Sequence, residues 1–450
     1  MAEPQSGRWW LGVTRYQWSV FAITAGAWLF DNLDQRLFSL ARIPALTTLM
    51  GQASTIEVQA VAKDVTALFL IGWGIGGLIF GAWGDRYGRV RLLTISILIY
   101  SLCTGLTAIC ATPWQFASLR LATGIGIGGI FGLAVAILAE SVDGAVRLAM
   151  LAGLQLASIV GNIGAAFTKM AVDAVAAHGE IAQSESWRWL FAVGVIPALF
   201  AVSSGFFLED SPAWMALKAS GNLPKSSFGA YRELFATKAG RYNLLIGTLL
   251  AVSGVVGLWA IGEFAVDLQH AVFTRYYGAL LPKADVAGAV ASAKNWAYLL
   301  QMLGGACGML IFAGVADRWG RKAAFALGFA SALVTTVLVY WKLEMPAQAY
   351  WMMPLMGAAQ LSVFAGFSIY LPELFGAKAR GTGVSFAYNF GRFAAAAGSY
   401  VSALLTTKLF AGFAPPLPLR YSAITMCAVF VVGIMTALVA PETRGKDLPE

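Results

Sequence analysis

Long apolar runs alternate with short polar segments along almost the whole chain. Most runs hold about 20 residues, the length that an α-helix needs to cross the hydrocarbon core of a bilayer. The pattern predicts twelve membrane-spanning helices, called spans 1 to 12 below, at about residues 17–41, 64–83, 92–111, 114–139, 148–172, 188–208, 243–269, 293–313, 323–341, 349–371, 384–408 and 421–440. The predicted fold class is therefore an all-α membrane protein.

The composition agrees with this prediction. Hydrophobic residues make up 58% of the 450 residues and charged residues 12%, with a mean hydropathy of +0.70, whereas soluble proteins are about 25% charged. No cleavable signal peptide is expected, since the first sixteen residues are polar. All four cysteines lie in apolar runs, which predicts neither a disulfide framework nor a metal site.

Lysine and arginine are distributed unevenly among the segments that connect the spans. With the N-terminus in the cytoplasm, 18 of the 31 basic residues fall in cytoplasmic segments, and few, such as Arg42, Lys63 and Arg275, fall outside. Cytoplasmic loops of membrane proteins carry such an excess. We therefore expect a multi-pass protein of the plasma membrane, or bacterial inner membrane, with both termini cytoplasmic, and we attribute the net charge of +8 to loops rather than to nucleic-acid binding.

The two halves of the chain repeat one another on either side of a polar segment, residues 209–241. Four pairs of residues are separated by 232 or 233 positions: Asp85/Asp317, Glu140/Glu373 and Arg147/Arg380 lie within the halves 1–208 and 242–450, and Glu209/Glu442 starts at the first residue of the polar segment. In the same alignment Asp34 corresponds to Asp267. A shared offset indicates a duplication, so we predict two parallel six-helix halves joined by a cytoplasmic linker.

Several motifs resemble those of one transporter superfamily. "GDRYGRVR" (84–91) and "ADRWGRKA" (316–323) resemble the loop signature of the major facilitator superfamily, and "RLATGIGIGG" (120–129) resembles its span 4 motif. "LEDSPAWM" and "PETRGKDL" resemble marks of proton-coupled sugar symporters, while "PELFGAKARGTG" with "YNFGR" resembles metabolite and aromatic-acid proton symporters. The resemblance covers essentially the whole chain and implies solute transport by alternating access.

The chain also departs from the sugar porters. Ala213 stands where sugar porters have an arginine before the tryptophan of their span 6 mark. Span 7 reads "GVVGLWAIGEF" and lacks the paired glutamines of that group. These departures favour the metabolite branch over the sugar branch.

The loop motifs have two interpretations. Their glycines allow tight turns and their arginines anchor the loops at the membrane surface. The resemblance further implies that the aspartate meets a helix N-terminus of the other half and forms a conformational latch. The predicted latch residues are Asp85, Arg86, Gly88, Arg89, Glu140, Arg147, Asp317, Arg318, Gly320, Arg321, Glu373 and Arg380. Glycines along spans 2 and 4 are expected to let the two helices pack closely.

Span 1 contains charges that are costly inside a bilayer. Asp31 and Asp34 are three residues apart and share a helix face, whereas Arg36 lies about 200° round the helix from Asp34. Arg120 in span 4 lies at about the same depth as Asp34, so we predict that the two side chains pair. A static ion pair that only fixes helix register is the alternative.

The resemblance assigns this pair a function. In proton-coupled sugar symporters a span 1 aspartate placed like Asp34 pairs with the span 4 arginine that corresponds to Arg120, and its protonation releases the arginine. Burial favours the neutral form of an acid and a neighbouring cation favours its charged form. The expected coupling ion is therefore the proton, with no other cofactor, and Asp31 is expected to be a second proton site or a substrate contact.

The substrate is expected near the midplane of the membrane, between the two halves. The candidate substrate-binding residues are Gln155, Asn162, Trp259, Glu263, Gln301, Gln360, Tyr388, Asn389 and Arg392. Gln155 is included because "GLQLASIVGN" resembles the span 5 stretch that supplies a sugar-binding glutamine in sugar porters. Arg392 lies deep in span 11, where a guanidinium needs a carboxylate from either the protein or a ligand; Asp31 is one such protein partner.

Three functions remain open at this point. The first is a proton symporter for a small organic anion, which Arg392 favours, and the second is a proton-coupled symporter for a neutral sugar or polyol, which Gln155 favours. The third is an exporter of drug-like compounds. The alternative of a different class is a membrane enzyme or a non-transporting sensor built on this fold. An enzyme is not expected, because the chain has no Ser–His or Cys–His set and only two histidines. The expected partners are a small-molecule substrate and the lipid bilayer, with the protein active as a monomer.

Overall fold

The computed structural model describes residues 12–142, 144–262 and 264–450. The regular secondary structure of these residues is helical throughout. Eighteen α-helices follow one another in chain order: α1 Arg15–Met50, α2 Thr55–Tyr87, α3 Arg89–Thr107, α4 Pro113–Gly128, α5 Ile130–Ser141, α6 Gly144–Ala177, α7 Ser186–Val193, α8 Ile196–Phe207, α9 Pro212–Ala219, α10 Gly229–Ala236, α11 Lys238–Val256, α12 Ala265–Gly278, α13 Lys283–Trp319, α14 Arg321–Lys342, α15 Pro346–Tyr370, α16 Arg380–Leu404, α17 Leu417–Met426 and α18 Ala428–Val439.

Every predicted span coincides with one of these helices or with a consecutive pair. Spans 4, 6, 7 and 12 are each built from two pieces, which are α4/α5, α7/α8, α11/α12 and α17/α18. Nine helical segments of the described chain are long and apolar enough to cross a membrane. The predicted fold class, with twelve transmembrane helices, is therefore confirmed, and the protein is a multi-pass membrane protein.

Some helices extend well beyond the predicted spans. Helix α1 continues to Met50 and α13 begins at Lys283, although the apolar runs end near residue 41 and begin near residue 293. An apolar run reports the hydrocarbon depth, whereas backbone hydrogen bonding continues into the headgroup region. The predicted linker, 209–241, contains the two short helices α9 and α10.

The chain divides into two compact units. Unit 1 runs to Arg241 and also includes Leu371–Asn389 and Gly445–Glu450, while unit 2 comprises Tyr242–Tyr370 and Phe390–Arg444. Unit 2 begins at Tyr242, but residues 371–389 of the second half of the sequence pack within unit 1. The contacts described below explain why.

Glycines bring α2 and α4 into backbone contact in unit 1. A Cβ atom on Gly72 would lie 2.3 Å from the carbonyl oxygen of Leu121, and one on Gly76 would lie 2.0 Å from that of Ile125. From the opposite side, a Cβ on Gly124 would lie 2.3 Å from the carbonyl oxygen of Phe69. No side chain fits at these distances, so the predicted close packing is confirmed.

Unit 2 repeats this packing between α13 and α15. A Cβ on Gly304 would lie 2.1 Å from the carbonyl oxygen of Pro354, and one on Gly308 would lie 1.9 Å from that of Ala358. A Cβ on Gly357 would likewise lie 2.1 Å from the carbonyl oxygen of Gln301. These glycines follow Gly72, Gly76 and Gly124 by 232, 232 and 233 residues. The duplication read from the sequence is therefore present in the helix packing.

Candidate functional site

The first loop motif contains a tight turn between α2 and α3. Gly88 separates the two helices with a φ of +109°, a value that side chains other than glycine rarely adopt. The predicted turn glycine is confirmed. This turn leaves Asp85 on the last turn of α2 and Arg89 on the first turn of α3, four residues apart, and the two form a buried ion pair at 3.0 Å.

Asp85 anchors the N-terminus of α16. The backbone N–H groups of Gly381 and Thr382 donate to its carboxylate at 3.1 and 2.7 Å, and the Thr382 hydroxyl donates at 2.7 Å. The first N–H groups of a helix lack partners within the helix and carry its positive dipole end, so a carboxylate is a favourable acceptor. The aspartate-to-helix contact that the resemblance implied is present.

Glu140 and Arg380 complete a group that we call the charge cluster: Asp85, Arg89, Glu140 and Arg380. Glu140, at the end of α5, forms ion pairs with both arginines, and all four side chains are almost completely buried. Arg89 also donates to the Ala377 carbonyl at 2.7 Å, and Arg380 donates to the Pro449 carbonyl. These contacts hold residues 371–389 and 445–450 within unit 1.

The linker also contributes to the charge cluster, which the sequence analysis missed. The Ser211 hydroxyl donates to Glu140, and the Trp214 indole N–H donates to the Asp85 carbonyl at 3.0 Å. The only signal in the sequence is the "LEDSP" motif, whose resemblance to a family mark does not indicate these contacts. Thr382 was likewise missed, although it follows the predicted Arg380 by two residues.

Other predicted latch residues lie elsewhere. Arg147 is half-buried and donates to the Val142 carbonyl at 2.9 Å. Arg86 is half-buried with its guanidinium 5.9 Å from the centre of the Tyr87 ring. Glu373 is buried on the 3₁₀ turn that precedes α16. Their role in a latch stays a prediction.

The second loop motif has a different environment. Gly320 makes the equivalent turn with a φ of +93°, but Asp317 and Arg318 are exposed. Arg321 is buried and donates to the Ala316 carbonyl at 2.9 Å. The two motifs are alike in sequence, yet only the first buries its aspartate.

Each unit caps the helix after its loop motif with an acid from the end of its last span. In unit 2 the Glu442 carboxylate accepts from the backbone N–H groups of Arg321 and Lys322 at 2.9 and 3.2 Å. In unit 1 Asp210 accepts from the N–H of Val90 at 2.9 Å. The sequence offset had matched Glu209 with Glu442, and this is corrected by one residue: Glu209 is exposed and Asp210 is the cap. Partial burial raises the pKa of Glu442, but its backbone donors outweigh this and hold the pKa below its usual range.

Asp34 and Arg120 lie next to each other within unit 1. Asp34 is 1% exposed and Arg120 is fully buried, and Asp34 Oδ2 lies 3.8 Å from Arg120 Nη1. Charge-assisted hydrogen bonds between such groups are about 2.7–2.9 Å long, so this pair is close but not bonded. The structure therefore brings together the two residues that were matched by depth.

Arg120 is held by neighbours that the sequence analysis missed. Its Nη2 donates to the hydroxyl of Thr107 at 2.6 Å and to that of Thr104 at 3.3 Å, and its guanidinium lies 4.8 Å from the centre of the Phe191 ring. Thr104 also lies beside the Asp34 carboxylate. The two threonines are three residues apart on α3 and therefore lie on one helix face. This spacing is the only sequence feature that indicates their shared contact with Arg120.

Two further candidates of unit 1 are buried polar groups. Asp31 is fully buried, and Gln35 donates to its carboxylate at 2.8 Å. Gln155 is 2% exposed, and its side-chain oxygen accepts no hydrogen bond from the described residues. Both side chains thus have the burial expected of a binding site within the membrane.

The remaining candidates of unit 1 make packing contacts. Tyr388 stacks on Phe131 with ring centres 3.9 Å apart. Asn389 donates to the carbonyls of Ser385 and Gly128 at 2.9 and 3.3 Å, and Asn162 donates to the carbonyl of Ser158 in its own helix. A substrate contact from any of the three stays a prediction.

Span 7 contains a π-helical segment in unit 2. Helix α11 continues into a π-helical segment, Gly257–Gly262, before α12 begins at Ala265. Trp259 lies on this segment, and the buried guanidinium of Arg392 lies 5.5 Å from the centre of its ring. Short π-helical turns are frequent at functional sites. The candidate Glu263 lies outside the described residues.

Gln360 lies beside the π-helical segment of span 7, and Gln301 lies at the contact between α13 and α15. Gln360 is 2% exposed and donates to the Thr336 hydroxyl at 2.8 Å. A Cβ on Gly262 would lie 2.6 Å from its side-chain oxygen. Gln301 is buried where Gly357 packs against α13. In unit 2, three candidates therefore lie on or beside the π-helical segment: Trp259, Gln360 and Arg392. Gln301 lies at the contact between α13 and α15.

Buried ionisable groups within apolar helices and the helix packing repeated between the two halves are typical of transporters of the major facilitator type. The model of the sugar (and other) transporter family matches residues 48–233 and 285–450. The chain belongs to this family. Because the family consists of membrane transporters, the prediction that the chain is not an enzyme is confirmed.

Individual proteins resemble the chain along most of its length. A putative metabolite transport protein from Haemophilus influenzae is 28% identical over 97% of this chain and 99% of its own. The cis,cis-muconate transport protein of Acinetobacter baylyi is 30% identical over 85% of this chain and 86% of its own. The solved structure of the proton:xylose symporter XylE bound to 6-bromo-6-deoxy-D-glucose covers 96% of this chain and 98% of its own, with a TM-score of 0.75 at 18% identity.

Proposed function

We propose that the protein is a secondary active transporter that takes up a small organic anion together with protons by alternating access. The observation that carries the proposal is the burial of Asp31, Asp34 and Arg120 in one membrane-embedded site. Charged groups are costly there and are retained where they serve a function. A carboxylate beside a cation, but not bonded to it, is suited to gaining and losing a proton.

Proton coupling follows from the geometry around Arg120. When Asp34 is charged, it attracts the guanidinium across the 3.8 Å gap. When Asp34 is protonated, this attraction disappears, and Arg120 retains its bond to Thr107. Protonation of Asp34 thus changes which side chains hold Arg120. We propose that this change alters the relative stability of the two conformations of the transport cycle. Asp31 is the second candidate for a proton, and Gln35 fixes its orientation.

The substrate class is proposed from Arg392 and Trp259. Arginine recognises carboxylates through two parallel hydrogen bonds, and an aromatic face beside it favours a flat, conjugated ligand. Among the similar proteins, the one from Acinetobacter baylyi is named for the transport of cis,cis-muconate, a conjugated dicarboxylate. A neutral sugar is the second candidate, because the buried oxygen of Gln155 is an acceptor that a sugar hydroxyl satisfies.

The charge cluster is proposed to be the latch of the transport cycle. Asp85 and Glu140 bind the first turn of α16, so the contacts made in this structure must break if that turn moves. All of these residues lie at the end of the spans that the Lys/Arg distribution assigns to the cytoplasm. We propose a monomeric protein of the bacterial inner membrane with both termini cytoplasmic. Impermeant thiol reagents should then modify a cysteine at position 283 and spare one at position 225.

Purified protein in liposomes tests the proposed function. An outward-directed or inward-directed pH gradient is imposed with the membrane potential clamped, and uptake of labelled cis,cis-muconate, benzoate and xylose is measured. A gradient of one pH unit should drive up to about tenfold accumulation of an acid per transported proton. Accumulation of xylose alone would make the protein a sugar symporter, and accumulation independent of pH would exclude proton coupling.

Variants of Arg392 test the charge selection. Arg392→Lys should weaken binding of the transported acid by about tenfold or more, because the ammonium group cannot make two parallel hydrogen bonds. Arg420→Lys is the matched control, since Arg420 lies in the same unit and donates only to the backbone of Trp341 and Leu343 among the contacts described. Arg392→Ala that binds the acid at wild-type affinity would refute the anion assignment. A loss of thermal stability without ligand would instead indicate a structural ion pair.

A further inference from the structure

Residues Gly257–Gly262 of span 7 form a π-helical segment between α11 and α12. A π-helical turn is rare and departs from regular α-helical hydrogen bonding, so contacts from neighbouring helices contribute to holding it in place. Four of its residues are buried: Gly257, Ala260, Ile261 and Gly262.

Tyr340 donates a hydrogen bond to the backbone of this segment. Its side chain is fully buried on α14, and its hydroxyl donates to the carbonyl oxygen of Ile261 at 2.6 Å. Ile261 is two residues after Trp259, whose ring faces the Arg392 guanidinium. The hydrogen bond from Tyr340 therefore fixes the backbone that presents Trp259.

Gln360 supports the same segment from α15. Its side-chain nitrogen donates to the Thr336 hydroxyl, one turn before Tyr340 on α14, and its oxygen lies against the backbone of Gly262. Gly262 leaves room for this oxygen, since a Cβ would approach it to 2.6 Å. Neighbouring polar groups of α14 and α15 thus meet consecutive residues at the end of the π-helical segment.

We infer that Tyr340 is a positioning residue of the substrate site: its hydroxyl holds the π-helical segment of span 7 so that Trp259 stays against Arg392. The expected effect of Tyr340 on transport rests on the proposed function, whereas its expected effect on the π-helical segment does not. It adds to the site a residue on span 9, and it gives a physical role to the amide of Gln360.

Hydrogen–deuterium exchange of the purified full-length protein tests the structural part. Tyr340→Phe removes only the hydroxyl, so the backbone amides of residues 257–262 and of the first turn of α12 should exchange about tenfold faster. Tyr370→Phe is the matched control. Tyr370 is 1% exposed in the same unit and its hydroxyl donates to the Pro441 carbonyl at 2.7 Å, remote in sequence from the π-helical segment. Unchanged exchange in Tyr340→Phe, or an equal increase in Tyr370→Phe, would overturn the inference.

Transport of cis,cis-muconate in liposomes tests the functional part. Tyr340→Phe should raise KM about fivefold to tenfold with little change in the maximal rate, whereas Tyr370→Phe should leave KM unchanged. If wild-type protein does not transport the probe but exchange in the segment still responds to Tyr340→Phe, the proposed substrate class fails and the positioning role stands. If the probe is transported and KM does not change, Tyr340 does not position the site.

Discussion

The two repeats of this protein use the same helix packing for different chemistry. In unit 1, α1 and α4 bury Asp34 beside Arg120. The positions that follow these two by 233 residues in unit 2 are Asp267, which is exposed, and Met353, which is buried. There the contact is between the side-chain nitrogen of Gln269 and the Met353 sulfur at 3.5 Å.

The loop motifs differ in the same direction. Asp85 is buried and anchors the first turn of α16, while Asp317 is exposed. The glycines that set the distance between helices are nevertheless retained at the same offset in both units. The two units thus share the glycine contacts that set their helix packing. They differ in the burial of acids, since Asp34 and Asp85 are buried in unit 1 whereas Asp267 and Asp317 are exposed in unit 2.

The largest expected effect comes from making unit 1 resemble unit 2. Arg120→Met places the unit 2 residue beside Asp34 and removes the charge that stabilises its ionised form. We expect uphill accumulation of the transported acid in liposomes to be lost. Met353→Leu, a similar apolar change at the equivalent position of unit 2, should retain wild-type accumulation. If Arg120→Met still concentrates its substrate along a pH gradient, the difference between the units has no role in coupling.

A smaller effect is expected at the loop motifs. Asp85→Asn retains the shape of the side chain but weakens its bonds to Gly381 and Thr382, and each bond to a charged group contributes about 1.5–3 kcal/mol. Thermal unfolding in detergent should therefore occur at a clearly lower temperature. Asp317→Asn, at the exposed counterpart, should unfold at the wild-type temperature within error. Equal destabilisation by both variants would remove the asymmetry on which the comparison depends.

The smallest effect is expected at the helix cap of unit 2. Since its backbone donors hold the pKa of Glu442 below its usual range, the stabilisation is present above about pH 4.3, the ordinary glutamate pKa, and is lost as the pH falls through the lower pKa of the folded state. Glu442→Gln should unfold at a slightly lower temperature at pH 7, and the difference should vanish in acid. A difference that grows as the pH falls would contradict this sign.

The sequence predicted the helices well because their signals are local. Apolar length located all twelve spans, the glycines along spans 2 and 4 located the helix contact of unit 1, and the loop motifs located most of the charge cluster. Depth counting along two helices was sufficient to pair Asp34 with Arg120. Each of these inferences needs only the position of a residue along its own helix.

Contacts that depend on side-chain direction were not predicted. The threonines around Arg120 and the donor from Tyr340 lie on neighbouring helices whose rotation no local pattern reports. The π-helical turn at Gly257–Gly262 was also missed, since its residues are as apolar as those of a regular span. Tyr388 was expected at the substrate, and its stacking on Phe131 depends on the approach of α16 to α5.

Proton coupling by Asp34 is tested most directly by measuring the proton movement that the substrate drives. Liposomes containing a trapped pH indicator receive external cis,cis-muconate without an imposed pH gradient. If Asp34 carries the proton, the lumen acidifies with wild-type protein. The Asp34→Asn variant then gives no acidification but still exchanges labelled muconate across the membrane. Acidification at the wild-type rate by Asp34→Asn would contradict the claim that the buried acid of unit 1 carries the proton.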